Sequence, residues 1–322
     1  MIPMRTYLLY ATGGFSMHAS NFLLSTWLIK FYTPGPDKHL IDPILFGYIM
    51  LFGRIIDAIT DPLVGAWSDH HKGPRGRRVP FLLWGAPILA LSLWWSFTPP
   101  IAGQSVWNGV YLAVMMAIFF TFYTIVVTPY LAILPELSSD AKVRVNLTTY
   151  QAGFVLLATI YVAALSGPMI QGLGYGTTMA ISGVLILLTS WLPILVAPQK
   201  DTVEAAHTEK ASLPVIWARS WGTLRSKAFR HILVSTSAFW FALNLLMASI
   251  ALWVVNVLKG KEADVAMIMM PFIVANLLGF VVFNRMAHRF GKYKVFVIMF
   301  VMMAAIAPFW YLVQRQQGDW PY

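Results

Sequence analysis

Residues 43–67 read PILFGYIMLFGRIIDAITDPLVGAW, an apolar run with Arg54, Asp57 and Asp61 in its interior. A helix needs about 20 apolar residues to cross the hydrocarbon core of a bilayer, and this run is long enough. Ionisable side chains inside such a run cost about 2.5–3.5 kcal/mol each on the mildest scale, so they are rare and mark function. Positions 54, 57, 61 and 65 fall on one helical stripe. Two carboxylates one turn apart can offer several hard oxygens to one small cation, or share a proton. Arg54, one turn before Asp57, can hold a carboxylate ionised when no cation is bound. The plainer alternative is an Arg–Asp pair that only ties helices together. It leaves Asp61 without a role.

The rest of the chain repeats the apolar pattern of this stretch. Nine apolar spans are readable, at about 6–32, 43–67, 79–98, 105–134, 147–170, 176–197, 229–258, 264–286 and 294–314. Of the 322 residues 58% are hydrophobic and only 11% charged, against roughly 25% charged in a soluble domain. The runs lack the alternating period of a membrane barrel, so an all-α polytopic membrane protein is expected. Trp94, Trp95, Trp107, Trp191, Trp310 and Tyr311 gather near span ends, as an interfacial belt would. The first span is too long for a cleavable signal peptide, and its only preceding base is Arg5.

The net charge of +10 comes from bases spread over several loops, so nucleic acid is not an expected partner. With no cysteine, disulfides and thiolate metal sites are excluded. No nucleophile–base pair, metal-ligand cluster or phosphate loop stands out, so neither an enzyme nor a cofactor is expected. The bases set an orientation instead. Arg5, the cluster Lys72–Arg78, Lys142, Arg144, the bases of 200–230 and those of 285–294 all fall on one side. Lys30, Lys38, Lys259, Lys261 and Arg315 fall on the other. A plasma (inner) membrane protein with a cytoplasmic N-terminus is expected.

The polar stretch 198–228 divides six spans, 1–197, from three, 229–322. A weak internal repeat accompanies that division. SDHHKGPRGRR (Ser68–Arg78) and NRMAHRFGKYK (Asn284–Lys294) each lie two spans into their half, and each sets a Gly among bases. Halves of six spans typify secondary transporters, and the second half here has three.

Arg54–Asp69 (RIIDAITDPLVGAWSD), with the basic loop ending Gly76-Arg77-Arg78, resembles the glycoside–pentoside–hexuronide:cation symporter family. This is the melibiose-permease-like branch of the major facilitator superfamily. Tyr10–Phe15, Phe31–Thr33, and Tyr123-Thr124 with Pro129 and Pro135 extend the similarity through the six-span half. The resemblance implies twelve helices, alternating access, and coupling to Na⁺, Li⁺ or H⁺. It assigns the cation to Asp57 and Asp61, with Thr60 between them and Thr124 on span 4. Thr60 stands where the best-known member has Asn. The family's sugar-gripping acids and arginine align with His18, Val127 and Ala152, so the substrate chemistry departs from that of galactoside permeases.

His18 and Asn21 share a face of span 1, and Tyr123, Tyr150, Gln151 and Asn244 complete the candidate substrate contacts. Packing is the competing role for each. Asp69 with Arg75, Arg77 and Arg78 is a candidate cytoplasmic gate, against simple topology signalling. The Met267–Met270 run is read as pliable packing. The expected function is cation-coupled symport of a sugar, glycoside or similar polar solute. A lipid-like or amphipathic solute is the alternative cargo, and a truncated, non-transporting fragment the alternative class. Expected partners are the small-molecule substrate and the lipid bilayer.

Overall fold

A computed structural model describes residues 3–34, 38–198 and 225–256, with scattered positions at 222 and from 275 to 305. Among the described residues the long elements are all helices: α1 Met4–Tyr32, α2 Pro43–His70, α3 Val79–Trp95, α4 Val106–Leu137, α5 Ala141–Ile160, α6 Ser166–Trp191 and α7 Lys227–Asn256. By length and apolarity, Pro43–His70, Val106–Leu137 and the run Lys142–Leu195 suffice to cross a membrane. The last of these is a pair of spans. A π turn at Tyr161–Leu165 joins α5 to α6, and Gly174, at φ 79°, breaks α6 in two. That break falls between the expected spans 147–170 and 176–197. Most of the expected spans 264–286 and 294–314, and nearly all of the 198–228 stretch, lie outside the described residues.

The helix starts are chemically specified. Asp42 caps α2, its Oδ1 accepting from the backbone N–H of Ile44 at 2.8 Å and of Leu45 at 3.2 Å, with Pro43 in the first turn. Ser105 accepts from the Trp107 N–H at α4, and Asp140 from the Lys142 N–H at α5.

The chain forms two packed units, 1–237 and 238–322. In the first, α1 packs on α5 and α6, α2 on α4, and α3 on α4 and α6. Tyr10, Tyr32, Phe119, Phe120, Leu23, Leu24 and Leu28 fill its core. Lipid chains are as apolar as leucine, so helix contacts in a membrane rely on small residues that permit close approach. Gly53 shows this where α2 meets α4. A Cβ there would lie 2.6 Å from the Phe120 ring, so the glycine sets how near α2 comes to α4.

One buried amide closes the end of the bundle where α1 and α3 finish. Asn108, fully buried at the start of α4, donates to the carbonyls of Ile101 and Gly103 at 3.0 and 2.9 Å and to that of Leu40 at 3.3 Å. Its Oδ1 accepts from the Ile101 N–H at 3.2 Å. It thereby ties both neighbouring connections to α4. Asn108→Ala takes a partner from the backbone of Ile101 and Gly103, while the Leu40 carbonyl keeps the Ser105 N–H, and is expected to cost about 1–3 kcal/mol, read as a lowered unfolding midpoint in detergent. An unchanged midpoint would show that water replaces the amide.

In the second unit Gly291 adopts φ 84°, close to the 82° of Gly76 in the first. Both are the glycines of the two basic loops matched in sequence. A positive φ of this size is one that glycine adopts at no steric cost.

Candidate functional site

Thr124 of α4 is 1% exposed and faces both acids of α2. Its Oγ1 lies 3.1 Å from Asp57 Oδ1 and 3.2 Å from Asp61 Oδ1. Thr60 Oγ1 is 3.3 Å from the same hydroxyl and also donates to its own helix at the Asp57 carbonyl, 3.1 Å away. Four side chains expected to act together therefore meet at one point. A hydroxyl carries one proton and cannot donate fully to two carboxylates, to which a second threonine adds a third oxygen. This crowding of lone pairs asks for a positive charge or an added proton among them. Pro62, next to Asp61, has no N–H to give the Ala58 carbonyl one turn back.

Arg54 stands beside this cluster without closing on it. Its Nη1 is 3.8 Å from Asp57 Oδ2, and its side chain is 48% exposed. The guanidinium lies over the Phe120 ring, 4.9 Å from the centroid, and Nη2 makes a long hydrogen bond of 3.4 Å to Asn21 Oδ1 on α1. Tyr123 donates to the Met17 carbonyl at 3.2 Å. Asn21 and Tyr123 thus border the carboxylate cluster. His18 lies one turn earlier on α1, its ring tilted against Phe22 at 5.4 Å.

Two other substrate candidates lie on α5. Tyr150 packs on Tyr7 with ring centroids 5.5 Å apart, and Gln151 lies against Gly14 of α1. The side chain of Asn244 lies outside the described residues.

The loop between α2 and α3 is built around a group that sequence reasoning missed. Glu136 of α4, 9% exposed, accepts from Arg77 at 2.9 Å and from Arg78 Nε at 3.1 Å. Arg78, 7% exposed, also donates to Asp69 at 2.5 Å and to Ser68 Oγ at 2.7 Å. The four expected gate residues therefore separate: Asp69, Arg77 and Arg78 join one network through Glu136, while Arg75 is exposed. The signal available was Pro135-Glu136, an acid at the end of an apolar span and level with an arginine-rich loop.

The family described as MFS/sugar transport protein matches residues 9–321. Among curated proteins, the isoprimeverose transporter of Lactiplantibacillus pentosus is 28% identical over 67% of this chain and 45% of its own length. A putative glycoside/cation symporter of Escherichia coli is 28% identical over 54% of the chain and 38% of its own length. The sodium-dependent lysophosphatidylcholine symporter 1 of Gallus gallus is 31% identical over 51% of the chain and 30% of its own length. The chain thus spans less than half the length of these relatives. The match and the apolar helices make it a multi-pass membrane protein of a transporter family, not an enzyme. It belongs to the MFS/sugar transport family, within the glycoside–pentoside–hexuronide:cation symporters of the major facilitator superfamily.

Proposed function

We propose that the chain is the cation-binding part of a symporter that couples entry of a sugar, glycoside or similar polar solute to a Na⁺, Li⁺ or H⁺ gradient. One observation carries this reading: a single buried hydroxyl, that of Thr124, stands within 3.1 and 3.2 Å of two carboxylates. Asp57, Asp61, Thr60 and Thr124 together offer the all-oxygen, doubly anionic surroundings that a hard cation prefers. Cation binding here would favour the solute-accepting conformation, and solute would tighten cation binding in return. Residues 1–197 form one six-span bundle in this account, 198–228 a cytoplasmic central loop, and 229–322 three spans of a second bundle. The bases of Lys72–Arg78 and 285–294 support an inner-membrane placement with the N-terminus in the cytoplasm.

A lysolipid-like solute is the second reading. It is supported by the resemblance to a sodium-dependent lysophosphatidylcholine symporter and by His18 and Val127 standing where sugar-binding acids align. Uptake of a labelled sugar panel and of labelled lysophosphatidylcholine into vesicles, with and without Na⁺ at two pH values, separates the two. Thr124→Val removes a neutral oxygen ligand while keeping both acids. Half-maximal uptake is expected to need roughly tenfold more cation, the effect of losing about 1.4 kcal/mol. An unchanged cation dependence would remove Thr124 from the site.

A further inference from the structure

Arg54 carries a full positive charge next to two acids, yet its nearest carboxylate contact is a single 3.8 Å approach. A guanidinium free to pair with a carboxylate closes to about 2.7–2.9 Å, usually through two parallel bonds. Something holds it off. The group on its other side is Asn21 of α1, whose Oδ1 accepts from Arg54 Nη2. Arginine has only donors, so the amide must turn its oxygen toward it. Asn21 therefore offers the guanidinium a neutral acceptor, which an apolar side chain cannot supply and a carboxylate supplies only together with a charge.

We infer that Asn21 is a positioning residue, one that holds Arg54 at a distance from Asp57 and so sets how tightly the carboxylate pair takes its cation. The inference rests on the reading of Asp57 and Asp61 as the cation site. A neutral amide retains the guanidinium without neutralising it. Arg54 then tempers the charge of the empty pair but does not replace the cation as a permanent counter-ion. Asn21 does its work here through Arg54, not through the solute.

Two substitutions push in opposite directions. Asn21→Leu releases Arg54 to close on Asp57, where it competes with the cation. Apparent cation affinity is expected to fall about tenfold. Asn21→Asp draws Arg54 toward α1 and adds negative charge, and affinity is expected to rise. A residue that matters only for packing would weaken binding in both cases.

The test is the shift in the thermal unfolding midpoint of the purified 322-residue chain as Na⁺ and, separately, pH are titrated. The ion that stabilises the unaltered chain is carried through the variants. In an Arg54→Gln background, Asn21→Leu is expected to have no further effect on that ion's affinity. Equal weakening with and without Arg54, or weakening by both Asn21 variants, overturns the inference. Ion-dependent stabilisation that persists in Asp57→Asn sinks the underlying cation-site reading instead, and the two failures are thereby told apart.

Discussion

Vesicles carrying Asp57→Asn or Asp61→Asn are expected to equilibrate solute but not to accumulate it. Each 100 mV of membrane potential gives about 2.3 kcal/mol per charge moved, which at one cation per solute sustains roughly 50-fold accumulation. With either acid neutralised, that ratio falls to about one. Asparagine keeps the size and one oxygen of the carboxylate, so the helix contacts between α2 and α4 survive while the charge that holds the cation is lost. Thr124 still has an acceptor at each position, since its hydroxyl is within 3.2 Å of both acids. Solute exchange across vesicles without an ion gradient separates the two possible losses. Exchange retained with accumulation abolished is the signature of uncoupling. Undiminished uphill uptake in both variants would remove the carboxylates from the mechanism.

The second large effect is on stability. Glu136→Ala would leave Arg78, 7% exposed, with Asp69 as its remaining anionic contact and Arg77 without its partner. Removing one member of a buried ion pair costs about 3–5 kcal/mol where the other is stranded, and with Arg78 still paired to the exposed Asp69 a loss of about 3 kcal/mol is expected. Arg78→Ala is expected to cost a similar amount, because the Glu136 carboxylate would lose one of its two arginines. Arg75→Ala, an exposed neighbour in the same loop, should change stability by less than about 0.5 kcal/mol. Replacing both Arg78 and Glu136 by leucine is expected to cost less than the two single changes added together, since both changes remove the one ion pair they share. Unfolding midpoints in detergent, followed by tryptophan fluorescence, measure all of these. Equal losses at Arg75 and Arg78 would show that loop charge as such matters, not the buried network.

The apolar runs made the helical membrane architecture legible before any coordinates, because backbone polar groups have no partner in lipid except within a helix. The expected limits 147–170 and 176–197 leave a gap in which Gly174 breaks the helix. Asp57 and Asp61 announced themselves as charges inside an apolar run, and their helical spacing put them on one stripe. What sequence could not supply was the rotation of each helix about its axis. Thr124 entered through resemblance, and only packing of α4 on α2 brings its hydroxyl between the acids. The packing of α5 on α1 sets Tyr150 on Tyr7 and Gln151 against Gly14, contacts between helices that no spacing within one span reveals. Glu136 was missed because attention to the loop weighed its own charges, and the acid that gathers two of its arginines sits 58 residues beyond Arg78. Asn21 was read beside His18 as a solute ligand. Its nearest charged neighbour proves to be Arg54, from a different helix.

Infrared difference spectra of the purified chain, recorded on adding Na⁺ and on changing pH, test most directly whether the acids of α2 hold the coupling ion. The account predicts a change in carboxylate stretching bands that halves or disappears in Asp57→Asn and in Asp61→Asn and is absent in the double variant. Bands that respond to the ion identically in the double variant would contradict it.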